Sequence, residues 1–171
     1  TGFDYLGEPS PYDTDAWPNH SSMFGIIDLA SLPKDRFWLY RSQWNKEDHT
    51  LHVLPHWNWK EGQNVPVYVY TDYPTAELFV NGVSQGRQTK AVPVEPTTGN
   101  RKDKEVMKRF RLMWDDVIYQ PGEIKVIAYN SEGQAVAEKT IRTAGKAASI
   151  KLTPDRKVLK ADGEDLCYIN V

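Results

Sequence analysis

The stretch AELFVNG, residues 76–82, decides the fold. Leu78 and Val80 alternate with Glu77, Phe79 and Asn81, the period of two that a pleated strand with one buried face imposes. Asn81-Gly82 is the pair that a tight hairpin prefers, so VSQGRQ (83–88) reads as the returning strand. Outward from this hairpin, RFRLMW (109–114) alternates Phe110, Leu112 and Trp114 with Arg109, Arg111 and Met113. GEIKVIAYN (122–130) and QAVAEKTIRT (134–143) flank a turn at NSEG (130–133), and TLHVLPHWNW (50–59) and PVYVYTD (66–72) precede the hairpin. Residues 48–145 thus predict about seven strands and no helix, an immunoglobulin-like β-sandwich. Leu78, Val80, Phe110, Leu112, Trp114, Ile124 and Val126 are expected inside, with Tyr68 and Tyr70 on a partly exposed sheet face. TKAVPVEPTTGNRKDKE (89–105) breaks the pattern and reads as a long mobile hairpin loop.

The flanks differ. Residues 1–47 carry one short apolar strand, a polar stretch rich in Pro, Asp and Ser, and then FGIIDLASLPKDRFWLYRSQW (24–44). The last piece predicts a helix over 31–44, with Ser31 as cap, Pro33 in the first turn and Asp35 at the positive end of the dipole. Phe37, Tyr40 and Trp44 share one face, and the helix is expected to pack on the sandwich through Phe37 and Trp44, or to drive the chain to dimerise. One strand and one helix are half of the unit that repeats in an α/β barrel. Residues 146–171 predict two more strands, 149–153 and 166–171, too few for a domain of their own. The expectation is therefore an excised piece of a longer protein, in three parts: 1–47, 48–145 and 146–171.

Composition excludes some functions. With 21 Lys+Arg against 23 Asp+Glu, the net charge of −2 supplies no basic field for nucleic acid. No apolar run approaches the roughly 20 residues of a membrane span. Cys167, the only cysteine, cannot form an internal disulfide. Six Trp and nine Tyr suit either sugar stacking or packed interfaces.

Candidate chemistry is sparse. His52 and His56 are four apart, but in an extended run that spacing is about 13 Å, and no Cys or carboxylate stands at zinc spacing, so neither metal nor cofactor is expected. No Gly-x-Ser-x-Gly elbow or phosphate loop is present. Trp57 and Trp59, two apart in an expected strand, would share a face. They would either seal a domain interface, together with Trp44, or stack on sugar rings.

TGFDYLGEPSPY (1–12), FGIIDLASLPKDRFWLYRSQW and LHVLPHWNW (51–59) resemble the end of the catalytic barrel and the start of the next domain in β-galactosidase-like enzymes of glycoside hydrolase family 2. The resemblance implies that residues 1–47 are the last strand and helix of a truncated (β/α)8 barrel, followed by the immunoglobulin-like domain and the beginning of a further sandwich domain. It implies that the family's two catalytic glutamates lie on earlier barrel strands, outside the chain. Asp4 and Glu8 would then sit at the rim of the parent's sugar pocket, while turn formation or salt bridging is their structural alternative. The expected role is a noncatalytic buttress within a retaining β-galactosidase, inactive alone. Its partners are the rest of the barrel, carbohydrate bound by the parent, and a second copy through the cut surfaces. A periplasmic or secreted location goes with it. A carbohydrate-binding module and an adhesin-type interaction domain are the alternatives.

Overall fold

β-Branched and aromatic residues in VYVYT and EIKVIAY favour the pleated, half-buried surface on which this chain is built. The computed structural model describes residues 2–4, 24–92 and 104–171. In chain order these form α1 (Asp35–Trp44), β1 (Leu51–Leu54), β2 (Val67–Thr71), β3 (Thr75–Val80), β4 (Val83–Thr89), α2 (Lys104–Lys108), β5 (Leu112–Trp114), β6 (Glu123–Tyr129), β7 (Ala135–Arg142), β8 (Thr153–Pro154) and β9 (Ile169–Asn170). A three-stranded antiparallel sheet, β1-β2-β5, faces a four-stranded antiparallel sheet, β4-β3-β6-β7. This is the expected mainly β sandwich. None of the described helices is long and apolar enough to cross a membrane.

Register explains the core. Val67 lies opposite Trp114 and Val69 opposite Leu112 on one sheet, while Leu78 pairs with Val126 and Val80 with Ile124 on the other. The inward positions of both sheets are buried and interdigitate, with Trp57, Val65, Val117 and Tyr119 closing the ends. Trp114 also crosses between the sheets, its Nε1 donating to the Gly86 carbonyl of β4 at 3.0 Å. Asn81 and Gly82 both take positive φ, 48° and 82°, the backbone of the tightest hairpin connection.

Several expectations are corrected. Phe110 is 40% exposed, because the amides of Phe110 and Arg111 bond back to the Met107 carbonyl. This helical turn at the end of α2 delays the pleat until Leu112. α1 begins at Asp35 instead of residue 31, since the Asp28 carboxylate accepts the amides of Ala30 and Leu32 and holds that stretch as a loop, with Ser31 at φ 64°. Trp44 is 73% exposed and stacks on Tyr40 instead of on the sandwich. α1 instead turns Trp38, Arg41 and Ser42 toward the sheet.

β1 ends at Leu54, because Pro55 has no N–H to continue the ladder. Trp57 and Trp59 therefore do not share a strand face. Tyr70 is buried, covered by His52 and Arg111. The last two strands shrink to the short ladder of β8 and β9. Of the expected loop 89–105, residues 93–103 lie outside the described residues, and Lys104 already begins α2.

Candidate functional site

The chemistry-bearing side chains gather at the seam between α1 and the three-stranded sheet. Trp38 on α1 stacks on His52 of β1, with ring centroids 5.2 Å apart and planes at 12°. His52 Nε2 reaches Asp35 Oδ1 at 2.7 Å, so the same imidazole holds the first turn of the helix. On the sheet side His52 also neighbours the Tyr70 ring, over which the Arg111 guanidinium lies at 5.3 Å. Arg41 fastens the other end of the seam, donating to the His49 carbonyl (2.9 Å) and to Thr50 Oγ1 (2.7 Å). The Asp72 carboxylate in turn binds His49 Nδ1 (2.5 Å) and the Thr50 amide (2.6 Å). Partial burial opposes ionisation of Asp72, but these two hydrogen bonds outweigh it and hold the carboxyl below its ordinary range.

Asp4 lies beside this seam and is almost fully buried. Its Oδ2 pairs with Lys34 Nζ at 2.5 Å and its Oδ1 accepts the Gly25 amide at 2.7 Å. The Lys34 hydrogen bond, aided by the Gly25 amide, keeps the Asp4 carboxyl ionised to lower pH than an ordinary aspartate. Both oxygens are thus engaged within the chain. Glu8, the other rim candidate, lies outside the described residues.

Two clefts open on this framework. The larger, about 610 Å³, lies between the start of α1 and the sheet, lined by Phe24, Lys34, Asp35, Arg36, Tyr70 and Arg111 among others. The smaller, about 320 Å³, lies between the edges of β4 and β5, where Gln85, Gln88 and Asp116 meet. There Asp115 is paired with Lys104 at 2.9 Å and Lys108 with Glu105 at 2.8 Å.

The tryptophans singled out from sequence separate. Trp57 is fully enclosed, donating to the Gln120 carbonyl at 3.1 Å and meeting Tyr119 edge-on. Trp59 is 37% exposed and stacks on His56. Sequence reasoning missed Arg36, Tyr70 and Arg111, since no local pattern ties residues so far apart to one cleft.

The chain can be placed among known proteins. A family model described as a domain of unknown function (DUF4982) matches residues 62–137, from just before β2 into β7. The chain is 48% identical over its whole length to the β-galactosidase BoGH2A of Bacteroides ovatus, of which it covers 18%. It is 32% identical to a putative β-glucuronidase of Formosa agariphila, over 96% of the chain and 14% of that protein. Among solved structures, a β-glycosidase from Bacteroides vulgatus superposes with a TM-score of 0.70 at 35% identity, over 98% of this chain and 19% of that one. A glycosyl hydrolase family 2 member from Bacteroides cellulosilyticus superposes with a TM-score of 0.80 at 28% identity, over 99% of this chain and 24% of that one. The chain spans less than a quarter of the length of each.

Proposed function

The chain belongs to glycoside hydrolase family 2, and from that premise we propose that it is a noncatalytic buttress in an enzyme that cleaves terminal β-galactosides with retention. The observation that carries this reading is the seam. A ten-residue helix is marginal in water by itself. Here it is tied to the sheet at both ends, through Asp35–His52 and through Arg41–Thr50. Such an attachment makes helix and sandwich one rigid body able to hold neighbouring elements in place. The lack of catalysis within the chain is supported by the engagement of the carboxylates in and beside the cleft: Asp35, which lines it, is bound to His52, and Asp4, beside it, to Lys34. A retaining glycosidase needs two carboxyl groups about 5–5.5 Å apart, one of them free to act as a nucleophile. Galactoside preference draws its support from the 48% identity to the Bacteroides ovatus β-galactosidase.

The test compares the purified chain with the full-length enzyme on nitrophenyl β-galactoside and β-glucuronide. The expected outcome is no release above the buffer rate by the chain, and galactoside cleavage with retained anomeric configuration by the full-length enzyme. Hydrolysis by the chain that disappears in an Asp4→Asn, Glu8→Gln variant would overturn the noncatalytic assignment. Faster cleavage of the glucuronide would overturn the substrate.

A second reading, a carbohydrate-binding module, has one observation in its favour: Trp44 and Trp59 are exposed. It requires quenching of tryptophan fluorescence by neutral sugars that is lost in Trp59→Ala.

A further inference from the structure

We propose that the larger cleft binds an anionic group carried on a sugar, a uronate carboxylate or a sulfate ester, through Arg36, Arg111 and Tyr70. The anionic part of this inference stands on the cleft alone, while the sugar part rests on the family placement.

The charge balance of the cleft differs from that of the chain. Against a net charge of −2 overall, Lys34, Arg36 and Arg111 line the cleft beside one carboxylate, Asp35. That carboxylate is held by His52 Nε2 at 2.7 Å, and Lys34 is held by Asp4. Arg36 and Arg111 form no ion pair among the described residues. The Arg111 Nε is enclosed and meets no acceptor. Its guanidinium lies over the Tyr70 ring and makes no hydrogen bond among the described residues, so its outer N–H groups keep their donor capacity. A partly enclosed guanidinium without a counter-charge is costly, and an anion is the group that relieves the cost.

Tyr70 adds a directed donor. The residue is 7% exposed, lines the cleft, and has no hydrogen-bond partner for its hydroxyl among the described residues. Burial raises that phenol's pKa above its ordinary range, and a protonated phenol offers one O–H donor. The first turn of α1 supplies a third contribution, because Asp35 and Arg36 carry orphan amides at the positive end of the helix dipole. No side chain caps them.

These donors line one cleft, and for a planar or tetrahedral oxyanion a forked guanidinium is the matching partner. Leu39, Leu54 and the Tyr70 ring form apolar walls suited to the C–H face of a pyranose. A volume of about 610 Å³ accommodates one or two sugar rings.

The experiment titrates the whole chain with glucuronate, galacturonate, inorganic sulfate, acetate and galactose. Binding is read from the NMR signals of the Asp35 and Arg36 amides and the Arg111 Nε–H. Saturable shifts with the uronates, none with galactose, and weaker ones with acetate and sulfate are expected. Binding should fall about tenfold in Arg36→Gln and in Arg111→Gln, as the loss of a charge-assisted bond predicts, and less in Tyr70→Phe. Arg36 is exposed, so its variant keeps the fold even if Arg111→Gln does not. Sulfate binding as tightly as the uronates would overturn the sugar part. Absence of saturable shifts with every anion, or shifts unchanged in Arg36→Gln, would overturn the site.

Discussion

The carboxamide of Asn81 occupies the space that a side chain at position 122 would need: a Cβ on Gly122 would lie 2.0 Å from Asn81 Oδ1. The contact is structural, because that oxygen accepts the Glu123 amide at 2.8 Å and the amide nitrogen donates to the Pro121 carbonyl at 3.1 Å. One side chain in the β3–β4 hairpin thereby aligns the start of β6. Gly122 also has φ of 136°, a conformation that side chains strain to adopt. Gly122→Ala is expected to destabilise the chain by about 1–3 kcal/mol. Gly145→Ala, where a Cβ meets nothing within 4 Å, should stay within about 0.5 kcal/mol in the same denaturant titration.

Trp57 is enclosed while Phe110, expected inside, is exposed. Trp57 is fully enclosed, and Trp57→Ala should cost about 3–5 kcal/mol by equilibrium unfolding. Trp57→Phe would strand the Gln120 carbonyl and cost about 1–3 kcal/mol. Phe110→Ala, at a residue 40% exposed, should cost well below the Trp57 value. Equal losses at the two positions would contradict the burial pattern.

The Asp4–Lys34 pair should make the attachment of residues 2–4 sensitive to acid. Because the folded Asp4 carboxyl is held below its ordinary value, its contribution is complete above about pH 4 and fades as pH falls through the lowered value. Following the Gly25 amide by NMR should show a midpoint below that of an unperturbed aspartate. In Lys34→Gln the midpoint should move back up. A wild-type midpoint at or above the ordinary value would mean that the pair does not form in solution.

His52 is expected to control the helix more than the sandwich. His52→Ala removes both the Trp38 stack and the Asp35 bond, together about 1–2 kcal/mol of local stability. Amide exchange in α1 should accelerate about tenfold, in line with that loss, while protection at Val126 and Leu78 persists. Uniform loss of protection in both regions would show that helix and sheet open together.

Alternation along the chain reports directly on which side of a pleat a residue occupies, and for that reason Leu78, Val80, Leu112, Trp114, Ile124 and Val126 were legible as core before any coordinates. Asn81-Gly82 was equally legible, since its turn is set by local backbone sterics. Family membership could be read from the first 60 residues for a related reason: contiguous motifs survive in linear order. Residues whose surroundings come from distant parts of the chain resisted such reading. α1 has apolar residues on more than one side, so only the neighbouring His52 and Thr50 decide that Trp38 and Arg41 turn inward and Trp44 outward. Phe110 leaves the core because a helical turn precedes β5, and Tyr70, on the sheet face under α1, is buried because Arg111, just before β5, and His52 of β1 cover its ring. The cleft is the extreme case. Arg36 and Arg111 are 75 positions apart and come from the first turn of α1 and the edge of β5. Their shared surroundings follow from packing the helix on the sheet, a long-range arrangement that no period along the sequence encodes.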